Sequence, residues 1–290
     1  MVRLITRVDI KNNFLVKGVH LEGLRTLGPI ELFTKSYSEE NVDEILLTDC
    51  VASLFNRNNL VKYIEIATRE LLVPITVSGG IRKLEDIDNL LKAGADKVCV
   101  NSGVIKDKNF LIEAVKEFGS STITVGIDAK INEFGEYECF IDNGRESTGI
   151  EVSEWIREAQ NLGAGEIILT SIDKDGTRTG FDKNLVSLAE NNSNVPLIIG
   201  GGAGRPDHLT DILENFKSVD GFAIAGIFHF NIIKKNFFNK KFVNKDNNNE
   251  NLNLGMNADN LNLKNIDTFS INDIKKHLLR KNFDVRIIND

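Results

Sequence analysis

The chain contains two aspartates whose positions suit general acid and base catalysis. Asp9 follows a short apolar run near the N-terminus, and Asp128 follows a similar run that opens the second half of the chain. Two carboxyl groups can share acid and base roles when their surroundings keep one protonated and the other ionised. A single aspartate more often caps a loop or accepts backbone N–H bonds, but matching positions in two similar segments favour the catalytic interpretation.

Two glycine-rich turns are candidate phosphate sites. Ser78-Gly79-Gly80 and Gly200-Gly201-Gly202 each follow an apolar run, and glycine lets backbone N–H groups approach an anion closely. One such turn would be weak evidence, because tight turns between a strand and a helix need glycine in any case. Here two occur, and each is followed by another small-residue turn, Asn101-Ser102-Gly103 and Ala225-Gly226. The pattern predicts a substrate with a phosphate at each end.

The segments around these residues are repeated along the chain. Residues 44–48 (EILLT) return as 166–170 (EIILT), and residues 74–80 return as 196–202, both 122 positions further on. The repeat indicates a duplicated unit that is too long for a solenoid. A looser echo relates Val8-Asp9-Ile10 to Ile127-Asp128-Ala129, so each copy contributes one acid and one glycine-rich turn.

Strand-like and helix-like patterns alternate through the chain, which predicts one domain, residues 1–290, with a (β/α)8 TIM-barrel fold built from two homologous half-barrels. A doubly wound open sheet is the alternative, and the duplication favours the barrel. Active sites of such barrels lie at the C-terminal ends of the strands, so Asp9 and Asp128 would face each other across the mouth. The predicted strands are residues 4–10, 44–49, 75–78, 97–101, 122–128, 166–171, 197–200 and 221–225.

Two segments interrupt the alternation. Residues 131–148 contain Asn143-Gly144, a strong turn signal, and predict a hairpin insertion after the fifth strand. Residues 239–267 are rich in asparagine and predict a mobile insertion before a last helix at residues 271–281, because they offer little apolar surface to bury. A small ordered subdomain is the alternative for that second segment.

Other charged residues fall at informative places. Lys17 lies in the polar loop of residues 11–18, from which it could close over an anionic substrate; a solvated surface lysine is the ordinary alternative. Four more charges begin predicted strands and, if they point inward, form a ring at the barrel floor. That ring is either a salt-bridged plug or a gate, and it consists of Arg3, Glu44, Lys97 and Glu166.

The bulk composition excludes several classes of function. The 290 residues carry a net charge of −7, which argues against general nucleic-acid binding. No apolar run is long enough to span a bilayer, and the N-terminus has no signal-peptide pattern, so we expect a protein without membrane association. Three cysteines without CxxC spacing suggest a reducing cytoplasm, and four histidines show no ligand spacing. We therefore expect neither a metal nor a cofactor.

Several segments of the chain resemble the cyclase subunit of imidazole glycerol phosphate synthase. The resemblance runs from Arg3 to about Phe230, resumes in the last helix, and leaves out the asparagine-rich segment. The segments that carry it include Val8-Asp9-Ile10, Val16-Lys17-Gly18, Val77-Ser-Gly-Gly-Ile81, Gly126-Ile-Asp128-Ala-Lys130, Leu169-Thr-Ser-Ile-Asp-Lys-Asp-Gly-Thr177 and Gly201-Gly-Ala-Gly204.

The resemblance implies an ammonia-dependent enzyme. In that family a separate glutaminase subunit docks on the bottom face to form a heterodimer, and ammonia passes through the barrel interior. The ammonia reacts with a bisphosphorylated formimino-aminoimidazole carboxamide ribonucleotide. The products are imidazole glycerol phosphate, a histidine precursor, and aminoimidazole carboxamide ribonucleotide.

The resemblance also assigns roles to individual residues. It places catalysis on Asp9, Asp128 and Lys17. It makes the floor ring of Arg3, Glu44, Lys97 and Glu166 a gate for ammonia. Together with the glycine turns, it gives a phosphate-binding set of Gly79, Gly80, Asn101, Ser102, Asp175, Gly176, Gly201, Gly202, Ala225 and Gly226.

Some positions depart from the family pattern and support an alternative function. Arg7 stands where a cysteine is usual, Ser78 where a glycine is usual, and Gly200 where a serine is usual. These and other segments resemble a paralogous branch that supplies ammonia for converting acetamido to acetamidino groups on surface-polysaccharide sugars. A related single-chain sugar isomerase, which needs no glutaminase, is a third possibility, against which the floor ring argues. A non-enzymatic scaffold is the fourth.

Overall fold

The structure, a computed structural model, describes residues 1–52, 60–70, 73–238 and 266–287. The strands of these residues are β1 (Arg3–Lys11), β2 (Phe14–Val19), β3 (Glu22–Pro29), β4 (Glu44–Asp49), β5 (Ile75–Ser78), β6 (Lys97–Val100), β7 (Ile123–Ile131), β8 (Tyr137–Ile141), β9 (Glu146–Glu151), β10 (Glu166–Ser171), β11 (Leu197–Gly200) and β12 (Val219–Ile224). The helices are α1 (Ile30–Glu39), α2 (Leu60–Glu70), α3 (Leu84–Lys92), α4 (Ser102–Lys106), α5 (Lys108–Phe118), α6 (Val152–Asn161), α7 (Lys183–Glu190), α8 (Asp207–Asn215), α9 (Gly226–Phe238) and α10 (Ile271–Arg280). Of the predicted insertion at 239–267, residues 239–265 lie outside the described residues.

Eight of the strands form one closed parallel barrel. Their order around it is β1, β4, β5, β6, β7, β10, β11 and β12, and the ring closes because β7 pairs with β10 and β12 pairs with β1. The (β/α)8 prediction is confirmed, and the open-sheet alternative is wrong. β1 and β7 lie four strands apart, on opposite sides of the barrel.

The two halves of the barrel repeat the same hydrogen bonds. The backbone N–H of Ile45 donates to the carbonyl of Pro74 at 3.0 Å, and that of Ile167 donates to Pro196 at 2.9 Å. The N–H groups that open β5 and β11 each donate to an aspartate at the start of the next strand, Asp96 at 2.8 Å and Asp220 at 3.0 Å. Sequence duplication and structural duplication therefore coincide.

Each half also inserts a β-hairpin after its first strand. β7 continues beyond the barrel and pairs antiparallel with β8, which pairs with β9. In the same way β1 pairs with β2, which pairs with β3. The expectation of a polar loop at residues 11–18 was wrong, because Lys17 lies on β2. The two hairpins meet above the mouth, where the Asn143 amide donates to the Leu21 carbonyl at 3.4 Å.

The apolar side chains form two separate cores. The larger core lies between the barrel and its helices and explains why the strands are rich in valine, isoleucine and leucine, since both strand faces are covered. The smaller core is a single layer inside the barrel, made of Ile5, Leu46, Cys99, Ile168, Ile198 and Ala223. Successive side chains of a strand alternate between the two cores. On β1 the inward series is therefore Arg3, Ile5, Arg7 and Asp9, from floor to mouth.

The last helix is fixed to the barrel by buried charges. Ser270 caps α10 by accepting from the backbone N–H of Asp273 at 3.1 Å. The Lys275 ammonium donates to Asp43 at 2.6 Å, and Arg286 donates to the same carboxylate at 2.9 Å. No helix in the described ranges is long and apolar enough to cross a membrane.

Candidate functional site

The two predicted catalytic aspartates lie at the mouth on opposite strands. Asp9 ends the inward series of β1 and is buried, and its Oδ1 accepts a bond from Arg7 Nε at 2.8 Å. Asp128 lies on β7, and its Oδ2 accepts from the Asn101 amide at 3.1 Å. One carboxylate therefore has a cationic partner and the other a neutral one.

The surroundings of Asp128 favour its protonated form. Burial raises the pKa of this carboxyl group to about 6, and the negative charges of Asp9 and Asp175 act in the same direction. The positive charge of Arg7 and the bond from Asn101 oppose the increase without cancelling it. A carboxyl group with such a pKa can donate a proton near neutral pH.

The first glycine-rich turn lines a cavity of about 290 Å³ on the β4–β7 side of the mouth. Asp128 also faces this cavity, and three side chains of the inner apolar layer (Leu46, Cys99 and Ile168) form part of its wall. The predicted phosphate-binding residues found here are Gly79, Gly80, Asn101 and Ser102.

The second glycine-rich turn lines a cavity of about 600 Å³ on the β10–β1 side. Helix α9 begins at this cavity, so its first backbone N–H groups and its dipole favour an anion there. Lys17 lines the same space. The predicted phosphate-binding residues found here are Asp175, Gly176, Gly201, Gly202, Ala225 and Gly226.

Both turns need glycine for the same structural reason. Gly79 has a φ of +106°, and a Cβ there would lie 2.4 Å from the Asp49 carbonyl oxygen. Gly201 has a φ of +89°, and its Cβ would lie 2.5 Å from the Ser171 carbonyl oxygen. Each glycine thus follows its strand and passes directly over the end of the preceding strand. The two cavities are built by equivalent turns of the two half-barrels.

Lys17 is a buried, paired residue of the site. It is 8% exposed, and its ammonium donates to both carboxylate oxygens of Asp175, at 2.8 and 2.6 Å. The surface-lysine alternative is therefore excluded. The pair joins the β2–β3 hairpin to the loop after β10 and lies beside the second cavity.

The four predicted gate residues form a closed ring at the floor. Arg3 donates to Glu44 at 3.0 Å and also to Glu166, and Lys97 donates to the same two carboxylates at 3.4 and 3.2 Å. Burial opposes the positive charge of Arg3, but Glu166 and Glu44 outweigh that effect and raise its pKa. The two glutamates are buried, whereas the side chains of Arg3 and Lys97 remain 26% and 22% exposed.

The predicted site left out several cationic residues that line the cavities, among them Arg7 and Arg178. Arg7 lines both cavities. Arg178 lines the second cavity, lies 5.0 Å from the centre of the Phe230 ring and has a left-handed backbone with a φ of +62°. The sequence feature that could have predicted Arg178 as a site residue is its place in the loop just after Asp175-Gly176. Among the described residues no cluster of histidine, cysteine, aspartate and glutamate is arranged to hold a metal ion.

Fold and site together define the class of protein. It is a (β/α)8-barrel enzyme whose mouth carries two carboxyl groups on opposite strands and two cavities lined by equivalent glycine turns.

Sequence comparisons identify the family within that class. Residues 3–234 match the family described as histidine biosynthesis protein. The chain is 43% identical over 230 residues to imidazole glycerol phosphate synthase subunit HisF of Lactococcus lactis subsp. cremoris (strain MG1363), covering 79% of this chain and 88% of that protein. It is 44% identical over 204 residues to the HisF subunit of Legionella pneumophila, covering 70% and 96%. The HisF subunit of Sulfurisphaera tokodaii is 41% identical over 234 residues, covering 80% and 92%.

The chain therefore belongs to the histidine biosynthesis family, as a HisF-type cyclase subunit of imidazole glycerol phosphate synthase. The resemblance read from its motifs is confirmed. These relatives favour the histidine pathway over the surface-sugar alternative.

Proposed function

We propose that this protein uses ammonia to convert the bisphosphorylated formimino-aminoimidazole carboxamide ribonucleotide into imidazole glycerol phosphate and aminoimidazole carboxamide ribonucleotide. One observation carries the proposal: the barrel mouth carries two carboxyl groups with different partners on opposite strands, together with two glycine-lined cavities, the first of which Asp128 lines. A substrate with a phosphate in each cavity would place its central atoms between those carboxyl groups.

The reaction needs a base for the attacking nitrogen and an acid for the departing one. When ammonia adds to the substrate, its nitrogen must lose a proton, and the nitrogen released on C–N cleavage must gain one. We assign the base to Asp9, which is paired with the Arg7 cation, and the acid to Asp128, whose pKa is raised to about 6 by burial. Lys17 supplies positive charge beside the second cavity.

We further propose that a glutaminase subunit docks on the floor and delivers ammonia through the barrel. The ring of Arg3, Glu44, Lys97 and Glu166 lies at that face, and its two cations are partly exposed there. Only one apolar layer separates the ring from the first cavity, and Leu46, Cys99 and Ile168 belong to both. Ammonia, a small neutral molecule, would therefore enter beside Asp128. As a biosynthetic enzyme of this kind, the heterodimer would work in the cytoplasm.

The test is turnover by the purified full chain with an ammonium salt and the formimino ribonucleotide. Asp9→Asn and Asp128→Asn should each lower turnover about 10²-fold or more, because each removes a proton-transfer group. Asp211→Asn changes an exposed carboxylate of α8 and serves as the matched control. Absence of imidazole product from folded wild-type protein would refute the proposed reaction, and near-normal turnover in either variant would remove that aspartate from the mechanism.

A further inference from the structure

Arg7 occupies the boundary between the two cavities. The residues that line both cavities are Arg7 and Thr170. Arg7 Nη1 donates to Thr170 Oγ1 at 3.1 Å, so these two side chains form a hydrogen-bonded bridge across the barrel mouth. A ligand with one end in each cavity must lie across this bridge.

The guanidinium of Arg7 is buried and only partly satisfied by the protein. Arg7 is 8% exposed, and a buried cation needs charged or polar partners. Nε donates to Asp9 and Nη1 donates to Thr170, whereas no atom of the described residues accepts from Nη2. A guanidinium has five N–H donors in a fixed fork, so Arg7 retains donors beyond these two bonds, and it lines both cavities.

The charges around Arg7 keep it a cation. Burial opposes its charge, but Asp9, Asp128 and Asp175 outweigh that effect and raise the pKa of Arg7. It therefore offers permanent, charge-assisted donors at the centre of a site whose two ends are suited to anions. The sequence gives no comparable donor at this place in the second half-barrel, where residue 126 of β7 is glycine.

We propose that Arg7 is a substrate-binding and specificity-determining residue, which donates to an oxygen in the middle of a doubly phosphorylated ligand while holding Asp9 in position. The oxygen is a hydroxyl, ether or carbonyl acceptor of the segment that joins the two phosphates. This inference rests on the proposed function for the identity of the ligand. It makes Arg7 selective for ligands that span both cavities over ligands that fill only one.

The experiment compares Arg7→Gln and Arg7→Lys with the wild type and with Arg157→Gln, which changes an exposed arginine of α6. Binding of the formimino ribonucleotide and of inorganic phosphate is measured by calorimetric titration without ammonia. Arg7→Gln should weaken ribonucleotide binding about 10- to 100-fold, the range for loss of a charge-assisted hydrogen bond. Its effect on inorganic phosphate should stay within about 3-fold, because phosphate needs only one cavity.

The affinity of Arg7→Lys for the ribonucleotide should lie between that of the wild type and that of Arg7→Gln, because lysine can pair with Asp9 but lacks the guanidinium fork. Equal weakening for both ligands, or ribonucleotide binding by Arg7→Gln within about 3-fold of wild type, would overturn the proposal. Turnover is measured in parallel. If the wild type binds the ribonucleotide but forms no imidazole product, the proposed reaction fails while the role of Arg7 in binding is still decided by the titration.

Discussion

At the scale of single residues, the site depends on how two identical carboxyl groups are made different. Asp9 accepts from a guanidinium, whereas Asp128 accepts from the amide of Asn101 and is surrounded by further negative charge. Burial and the nearby negative charges thus raise the pKa of Asp128, whereas Asp9 has a cationic hydrogen-bond partner. In the proposed mechanism, these different surroundings suit Asp9 to the role of base and Asp128 to the role of acid.

This difference predicts a pH dependence for turnover. If Asp128 is the acid, its active form is protonated, and that fraction falls as the pH rises through its pKa of about 6. We expect kcat, measured at saturating un-ionised ammonia, to fall through this range. The residual activity of Asp128→Asn should not show this fall in kcat with rising pH. A wild-type kcat that rises through the same range would contradict the assignment and make Asp128 the base.

Stability measurements separate this effect from unfolding. Because folding raises the pKa of Asp128 above that of a free aspartate, the folded state holds the proton more tightly than the unfolded state. This contribution to stability is therefore lost as the pH rises through about 6. At pH 7 the Asp128→Asn variant should unfold at no lower temperature than the wild type. A large decrease would show that the carboxylate is structural.

The sequence could predict one of the two aspartate environments. Arg7 and Asp9 are two positions apart on one strand, so alternation alone places them on the same face. The partner of Asp128 could not be read in this way, since Asn101 approaches it from the neighbouring strand. That contact depends on the register between β6 and β7, which pairs Val98 with Ile123 and leaves Asn101 one step beyond the last paired residue.

At the scale of elements, the two cavities depend on glycine turns that pass over the end of a neighbouring strand. Gly201→Ala should destabilise the fold by about 1–3 kcal/mol, because it adds backbone strain and a contact with the Ser171 carbonyl. We also expect a higher KM for the ribonucleotide. Urea unfolding and steady-state kinetics would measure the two effects.

Gly135→Ala is the matched control for this substitution. Gly135 has a φ of +82°, close to that of Gly201, but a Cβ there would meet no atom within 4 Å. It lies in the turn between β7 and β8. Gly135→Ala should lower the free energy of unfolding through backbone strain alone and leave the KM for the ribonucleotide unchanged. Equal effects of the two variants would show that the close approach of Gly201 to the strand end has no role in binding.

The hairpins show what sequence patterns could and could not give at this scale. The Asn143-Gly144 signal predicts the second hairpin, whereas the turn of the first is His20-Leu21, with φ values of +55° and +59°. Such residues seldom adopt this conformation, and here the loop after β10 stabilises it: both backbone N–H groups donate to Asp175, at 3.0 and 3.4 Å. The residues of the turn alone do not predict this support, because it comes from the loop after β10.

At the scale of the whole molecule, the barrel joins two working faces. The ion-pair ring closes the floor, one apolar layer lies above it, and the mouth holds the aspartates. Glu166→Gln should lower glutamine-dependent turnover in the proposed heterodimer and leave ammonium-dependent turnover of the isolated subunit nearly unchanged, because the ring lies on the proposed route of ammonia and at the opposite end of the barrel from the aspartates. The ratio of the two rates is the measurement.

The same variant should cost about 1–3 kcal/mol of stability, because Arg3 and Lys97 each lose a charged partner. Asp211→Asn breaks an exposed ion pair with Lys183 and should cost at most about 1 kcal/mol. If Glu166→Gln lowered both rates equally, the ring would be a structural plug.

The duplicated architecture has a consequence for the direction in which a ligand binds. A molecule with a phosphate at each end meets two nearly equivalent anchoring turns, so the backbone alone would accept it in either orientation. Other features differ between the halves and make the two ends of the site chemically distinct. One end has the Lys17–Asp175 pair and Arg178, and the other has the Asn101–Asp128 contact. On the proposed function, this pseudosymmetric scaffold would bind its ligand in one orientation only, and ammonia would always reach the same end of the ligand.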